Sequence, residues 1–322
     1  MAKKVKKASS ITSADDLVTS REQTRAGFIA MALEKNYLAV PYVEEAKALK
    51  LLAKKVKTPQ ELLTLDELRV GLLTASGLSE KSLNYLTEDD RTTAIKGLIE
   101  KFLEPAGKSF IDELVYRYLL TKGDALGGKA RNLAGTLGER KFLRTLLSVF
   151  NLAGTDYKWR DSETGTWQDK PEDDTDLEKR ICGLHWYHQS KPRLLVMNIS
   201  VPVVKKNVDL SIIEATPTDL KKGKNSIIHS SDKFIALGEL KGGIDPAGAD
   251  EHWKTANSAL IRIRTSFGTA NHRPHTFFVG AAIERSMATE MFGELQSGVL
   301  SKAANLTSDE QLTELCSWIT EL

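Results

Sequence analysis

Between residues 249 and 267, Ala249, Trp253, Ala256, Leu260, Ile263 and Phe267 recur at spacings of three and four. That period puts all six on one stripe of an α-helix, and so continuous an apolar stripe has to be buried against another layer. Apolar, strand-like runs flank it, Phe234–Leu240 before and Thr276–Ala282 after. Two strands joined through a helix become parallel neighbours in one sheet, with the helix packed across it. The order strand, helix, strand therefore limits this part of the chain to an α/β architecture.

Upstream, Leu194–Val204 and Val208–Ile213 have the same strand-like character, with Lys205-Lys-Asn207 a tight connection between them and 214–233 a polar loop. Asp156–Arg180, with Trp159, Gly165, Trp167 and the acidic run Glu172–Asp176, is expected to form a hairpin followed by a solvated loop. Segments around 287–300 and 308–322 return to helix.

Residues from about 12 to 150 carry helical periodicity almost throughout. Thr12 or Ser13 can cap a first helix with Asp15 and Asp16 in its first turn. Pro41 is expected to open the next, which Pro59 breaks. Phe110, Ile111, Leu114, Val115, Tyr118 and Leu119 follow a further helical period. The helix is expected to stop at Gly123, with Gly127 and Gly128 in a loop and a second helix beginning near Lys129. Adjacent glycines let a backbone approach a partner, and a helix start offers free N–H groups to a phosphate, with Lys129 and Arg131 supplying charge. A simple corner between helices, capped by Asp124, is the alternative. The expected division is a mostly helical domain over 1–150 and an α/β domain over 151–322.

With 45 Lys+Arg against 43 Asp+Glu, the chain is no indiscriminate polycation, so any nucleic-acid surface on it must be local. Cys182 and Cys316 form no metal-binding spacing and are expected as free thiols in a reducing cytoplasm. No apolar run approaches the roughly 20 residues that span a bilayer. The basic start, Lys3-Lys-Val-Lys-Lys7, lacks the apolar stretch of a signal peptide.

The chemistry concentrates at the end of the strand over 234–240. Alternate strand residues share a face, so Glu239 and Lys241 project together after Ile235 and Leu237. Asp209 lies on the preceding strand. Two carboxylates can hold Mg²⁺ against a phosphate, and a lysine beside them can stabilise charge on it. A structural ion pair between strands is the competing explanation, because burying carboxylates is costly without a partner. His252, in the first turn of the striped helix, can shuttle a proton or anchor a ligand. Asp245 can accept a hydrogen bond from a cytosine amino group in a major groove, and Asp250 is expected as the helix N-cap.

Longer blocks carry a resemblance. Gly238-Glu-Leu-Lys-Gly-Gly-Ile-Asp-Pro-Ala-Gly-Ala-Asp-Glu-His-Trp-Lys-Thr-Ala-Asn257 resembles the AvaI/BsoBI group of type II restriction endonucleases. So do Gly123–Asn132, Thr24–Ile29, Phe102–Gly107 and Thr276–Ile283, and the similarity runs from about residue 14 to the end. The resemblance implies a mixed central sheet of the PD-(D/E)XK nuclease core flanked by helices, with an additional mostly helical N-terminal domain. It implies a homodimer surrounding double-stranded DNA and Mg²⁺-dependent cleavage of the degenerate palindrome CYCGRG after its first cytosine, leaving 5′ overhangs. It also implies a cytoplasmic enzyme whose host DNA a cognate methyltransferase protects. By motif, Asp209, Glu239 and Lys241 match the family's catalytic set, with Asp209 and Glu239 on the metal. His252 matches a histidine proposed to assist catalysis, and Asp245 and Lys81 match base-contacting residues. A structure-directed repair or junction nuclease of the same core, or a non-enzymatic DNA-binding protein, would share many of these features and differ in what it cuts.

Overall fold

The computed structural model describes residues 9–130 and 132–322, the Lys129 side chain excepted. Arg131 and the first eight residues, with the basic stretch among them, lie outside the described residues. The chain packs as two units, Ile29–Leu133 and, separately, Ala134–Leu322 together with the described residues up to Phe28.

The first unit is helical. It contains most of α1 (Arg21–Ala53), then α2 (Arg69–Ala75), α3 (Glu80–Leu83), α4 (Glu88–Leu98) and α5 (Phe110–Ala130). Thr87 and Asp90 form a reciprocal capping box that starts α4, and Leu49, Leu72, Leu98, Leu103 and Leu114 meet in the core.

Two helix boundaries differ from those expected. Pro41 does not open a helix; it sits inside α1. Proline at this place leaves the Tyr37 carbonyl without its helical donor, and both residues are exposed, so water is at hand for it. The glycines at 123, 127 and 128 do not end α5 either, which continues to Ala130 before α6 (Leu133–Leu152) begins. Each glycine weakens a helix by about 1 kcal/mol, but extending an existing helix needs no new nucleus, and α5 is already anchored through buried Phe110, Leu114 and Tyr118.

The second unit is built on a sheet of eight strands among the described residues. They are β1 (Tyr157–Asp161), β2 (Trp167–Asp169), β3 (Ile181–His188), β4 (Lys191–Val201), β5 (Lys206–Ile213), β6 (Phe234–Lys241), β7 (His275–Gly280) and β8 (Lys302–Asn305), in the order β2-β1-β3-β4-β5-β6-β7-β8. Neighbours from β2 to β6 are antiparallel, whereas β6, β7 and β8 run parallel. The mixed α/β sheet expected from the sequence is thus present, with β6 at the change from antiparallel to parallel pairing. The change from helix to strand follows Leu152, while α6 packs as part of the sheet unit.

Helices cover both faces. The striped helix α7 (Ala249–Thr269) buries all six stripe residues against one of them. There Phe267 meets Phe234 with ring centroids 5.2 Å apart, and Trp253 meets Phe278 at 5.2 Å. On the opposite face Phe150 of α6 packs on Trp186, and Trp318 of α9 (Asp309–Glu321) packs on Phe277. Helix α8 (Arg285–Gln296) lies beside α7, tied by a 2.7 Å hydrogen bond from Trp253 Nε1 to Glu290.

Asp250 is not the α7 N-cap as expected. Asp245 instead starts a short turn over Pro246–Gly248 that runs straight into α7, with Gly248 at the cap position. Asp250 occupies the first helical turn, where a negative charge still suits the helix dipole, and pairs with Lys254.

A strap of residues 10–19 crosses the ends of β7 and β8. Leu17 is fully buried, and Asn305 Nδ2 donates to Leu17 O at 3.0 Å and to Thr19 Oγ1 at 2.9 Å. The Thr19 hydroxyl in turn donates to Ala281 O at 2.7 Å. Among the described residues no helix is long and apolar enough to cross a membrane, and Cys182 and Cys316 are free.

Candidate active site

The site forms where the β5–β6 ladder ends. Register pairs Leu210 with Gly238, which sets Asp209 opposite Glu239 on one face of the sheet, with Lys241 two residues further on that face. Beyond that pair the Leu240 amide finds no strand partner; it donates to Asp209 Oδ2 at 2.9 Å. The carboxylate thus takes the place of a ladder carbonyl. Lys241 Nζ reaches both acids, Asp209 Oδ2 at 2.8 Å and Glu239 Oε2 at 2.9 Å.

Burial sets the electrostatics. Glu239 is 4% exposed, and burial, reinforced by the Asp209 charge, pushes its carboxyl up to about 7 despite the pull of Lys241. Burial acts on Lys241 in the opposite sense, but the Glu239 charge and the Asp209 hydrogen bond outweigh it and hold its ammonium form more firmly than usual. A single ammonium between two carboxylates leaves one negative charge in excess.

That excess can be met by a divalent cation. The donor set consists of hard carboxylate oxygens, only two side chains supply it, and Mg²⁺ accepts few protein ligands because it keeps much of its water. Among the described residues no group of three or more His, Cys, Asp or Glu gathers in a metal-binding arrangement. A closed zinc-type shell is therefore not formed by them.

The next residues shape the rim. A Cβ on Gly243 would overlap the His252 imidazole, so the ring lies directly on the backbone two residues past Lys241. Asp245 is exposed, and its Oδ1 accepts the Ala247 amide at 3.0 Å. Asp209, Glu239 and Lys241 are thus in mutual contact, with His252 and Asp245 set along the connected loop.

A profile for restriction endonuclease BsobI matches residues 7–322 of the chain. The chain belongs to the BsobI restriction endonuclease family. It is 52% identical over 312 residues to the type II restriction enzyme AvaI of Nostoc sp., spanning 97% of this chain and 98% of that one. It is 51% identical over 315 residues to the type II restriction enzyme BsoBI of Geobacillus stearothermophilus, spanning 97% of each. Within the BsobI family this chain is accordingly an enzyme of the type II restriction endonuclease class.

Of the remaining candidate residues of this family member, Lys81 alone is fully described. Lys81 is exposed on α3 in the helical unit. Lys129 belongs to the last turn of α5, with its side chain outside the described structure, and Arg131 lies outside the described residues. Sequence reasoning missed the Leu240 amide as part of the site, since no side-chain pattern marks a backbone group released at the end of a ladder.

Proposed function

We propose that this protein is a Mg²⁺-dependent endonuclease that cuts double-stranded DNA at CYCGRG after the first cytosine, leaving 5′ overhangs. In this reading Asp209 and Glu239 hold the Mg²⁺, whose chemistry when bound is Lewis acidity toward the scissile phosphate and its attacking water. Lys241 stabilises the negative charge that builds on the phosphate, and the two carboxylates keep its ammonium protonated and aimed. His252 takes the proton of the attacking water. Asp245 accepts from a cytosine amino group and Lys81 reaches a base edge, while Lys129 and Arg131 meet phosphates. A palindromic site calls for a twofold dimer, with the helical region over 1–150 serving dimerisation and enclosure of the duplex. The enzyme works in the cytoplasm beside a methyltransferase that protects the same site.

The observation that carries this reading is the Asp209–Lys241–Glu239 contact at a strand end, in a chain that matches restriction enzymes over nearly its whole length. Digesting a plasmid of known sequence with Mg²⁺ and mapping the ends tests it. Ends at one palindrome with 5′ extensions are expected. Cuts governed by DNA structure would indicate a junction nuclease, and Mg²⁺-independent binding without nicking would indicate a DNA-binding protein.

A further inference from the structure

Three consecutive residues follow Lys241, and each is packed against a different helix. Gly242 lies on the start of α6: a Cβ on it would overlap the Ala134 carbonyl oxygen. Seen from the helix, a Cβ on Gly138 would stand 2.8 Å from Gly242 Cα, 3.0 Å from Leu306 Cδ2 and 3.4 Å from Leu240 Cδ2. Gly243 carries the His252 ring of α7. Ile244, itself 5% exposed, presses on α1, where a Cβ on Gly27 would overlap its Cγ1.

None of these four glycines has a positive φ, so backbone conformation does not explain them. Close approach does. A glycine inside a helix costs about 1 kcal/mol relative to alanine, and at Gly27 and Gly138 the space an alanine methyl would need is filled by the segment between Lys241 and Asp245. Gly135, one helical turn from Gly138, has nothing within 4 Å of the same built atom. The two α6 glycines therefore differ in what an added methyl would meet, although Gly135 Cα itself stands 3.1 Å from a Cβ built on Gly242.

We propose that Gly27 and Gly138 are positioning residues, leaving room for Ile244 and Gly242 so that the 242–244 loop holds Lys241 and Asp245 at a fixed separation. Neither glycine touches substrate. They act by letting α1 and α6 close on the loop, which sets how far the charge-stabilising ammonium stands from the carboxylate assigned to a base. An added methyl on either side displaces the loop, and a misplacement of about 1 Å can slow a reaction that depends on alignment by about 10²-fold.

The inference rests on the nuclease reading, so wild-type cleavage of the mapped plasmid is the reference. Gly138→Ala and Gly27→Ala are expected to lower single-turnover cleavage at least tenfold, while Mg²⁺-free binding of a duplex carrying the mapped site stays within about threefold and both variants remain folded at the assay temperature. Gly135→Ala, the same exchange with its methyl in open space, is expected to cut like wild type. Gly27→Ala combined with Ile244→Ala removes the overlapping Cγ1 and is expected to recover much of the rate lost by Gly27→Ala alone. Amide exchange over 242–245 should quicken in Gly27→Ala, a readout independent of cutting. Wild-type rates in both glycine variants would overturn the proposal, as would binding that falls in step with cleavage, or a double variant no faster than Gly27→Ala. If wild type itself does not cut, the nuclease reading fails, and unchanged amide exchange in Gly27→Ala then overturns the loop grip as well.

Discussion

The Asp209 carboxylate accepts the Leu240 backbone amide at 2.9 Å, just where β5 and β6 stop pairing. The residue assigned to the metal therefore also closes the end of the sheet. Its two tasks are separable by substitution, because an amide oxygen can still accept from Leu240 but is a poor ligand for a hard cation. Asp209→Asn should melt close to wild type and lose at least about 10²–10³-fold in cleavage, whereas Asp209→Ala should lose stability as well. Asp209→Asn cutting at the wild-type rate in a plasmid assay would remove it from the catalytic set.

His252 lies on Gly243 rather than in the hydrophobic stripe of α7, so its loss should spare the core. His252→Ala is expected to slow cleavage by about 10²–10⁴-fold, the range of a lost general base. Duplex binding should be retained while the single-turnover rate falls. Binding lost in step with cleavage would make it a DNA anchor instead.

Chelation tests the carboxylate pair directly. EDTA should abolish cutting and excess Mg²⁺ should restore it, while Ca²⁺ should support binding of the same duplex without cleavage. Cutting that persists in EDTA would show that Asp209 and Glu239 serve only as the partners of Lys241.

Away from the site, Asp161 is a buried carboxylate that accepts the Glu163 amide at 2.7 Å and the Thr164 amide at 3.2 Å and pairs with Arg180. The Glu163 amide first, then the Thr164 amide and Arg180, hold its pKa below the usual carboxylate range. A depressed folded pKa contributes stability above the unfolded value, about 3.9, and that contribution is lost as pH falls through the folded one. Wild type should therefore melt higher than Asp161→Asn at pH 7, with the gap narrowing as pH falls below about 4. A gap that does not change between pH 7 and pH 3 would contradict this assignment.

Asn305 is 1% exposed and ties the 10–19 strap to β8 through Leu17 and Thr19. Its Oδ1 also accepts the Thr307 amide at 2.9 Å. Asn305→Leu fills similar volume but strands those buried groups, and should destabilise the protein by on the order of 3 kcal/mol. Denaturant unfolding measures this, and a change under about 0.5 kcal/mol would mean water takes over the bonds.

Much of the sheet unit was legible in residue pattern. The α7 stripe, the parallel β6–β7 pair and the four strand-like runs from 194 onward needed only periodicity. Two strands were not legible: β3, buried along most of both faces, shows no clean alternation, and β8 has four residues. A helix start at Pro41 and a helix end at Gly123 are what local preference suggests, and neither forms, since that preference yields to the cooperativity of a helix already formed.

For the site, the sequence by itself determined which side chains share a face. Glu239 and Lys241 alternate along one strand, and Asp209 sits on a strand close enough in the chain to pair with it. It also determined family membership, through blocks too long and too widely spaced to arise by chance. Only tertiary structure decided that the ladder ends between Asp209 and Glu239, that one ammonium bridges both acids, and that three helices grip 242–244. Those facts depend on distances between segments remote in the chain, such as Gly27, Gly138 and Ile244. Periodicity reports only which way a residue faces; what it meets there is set by packing.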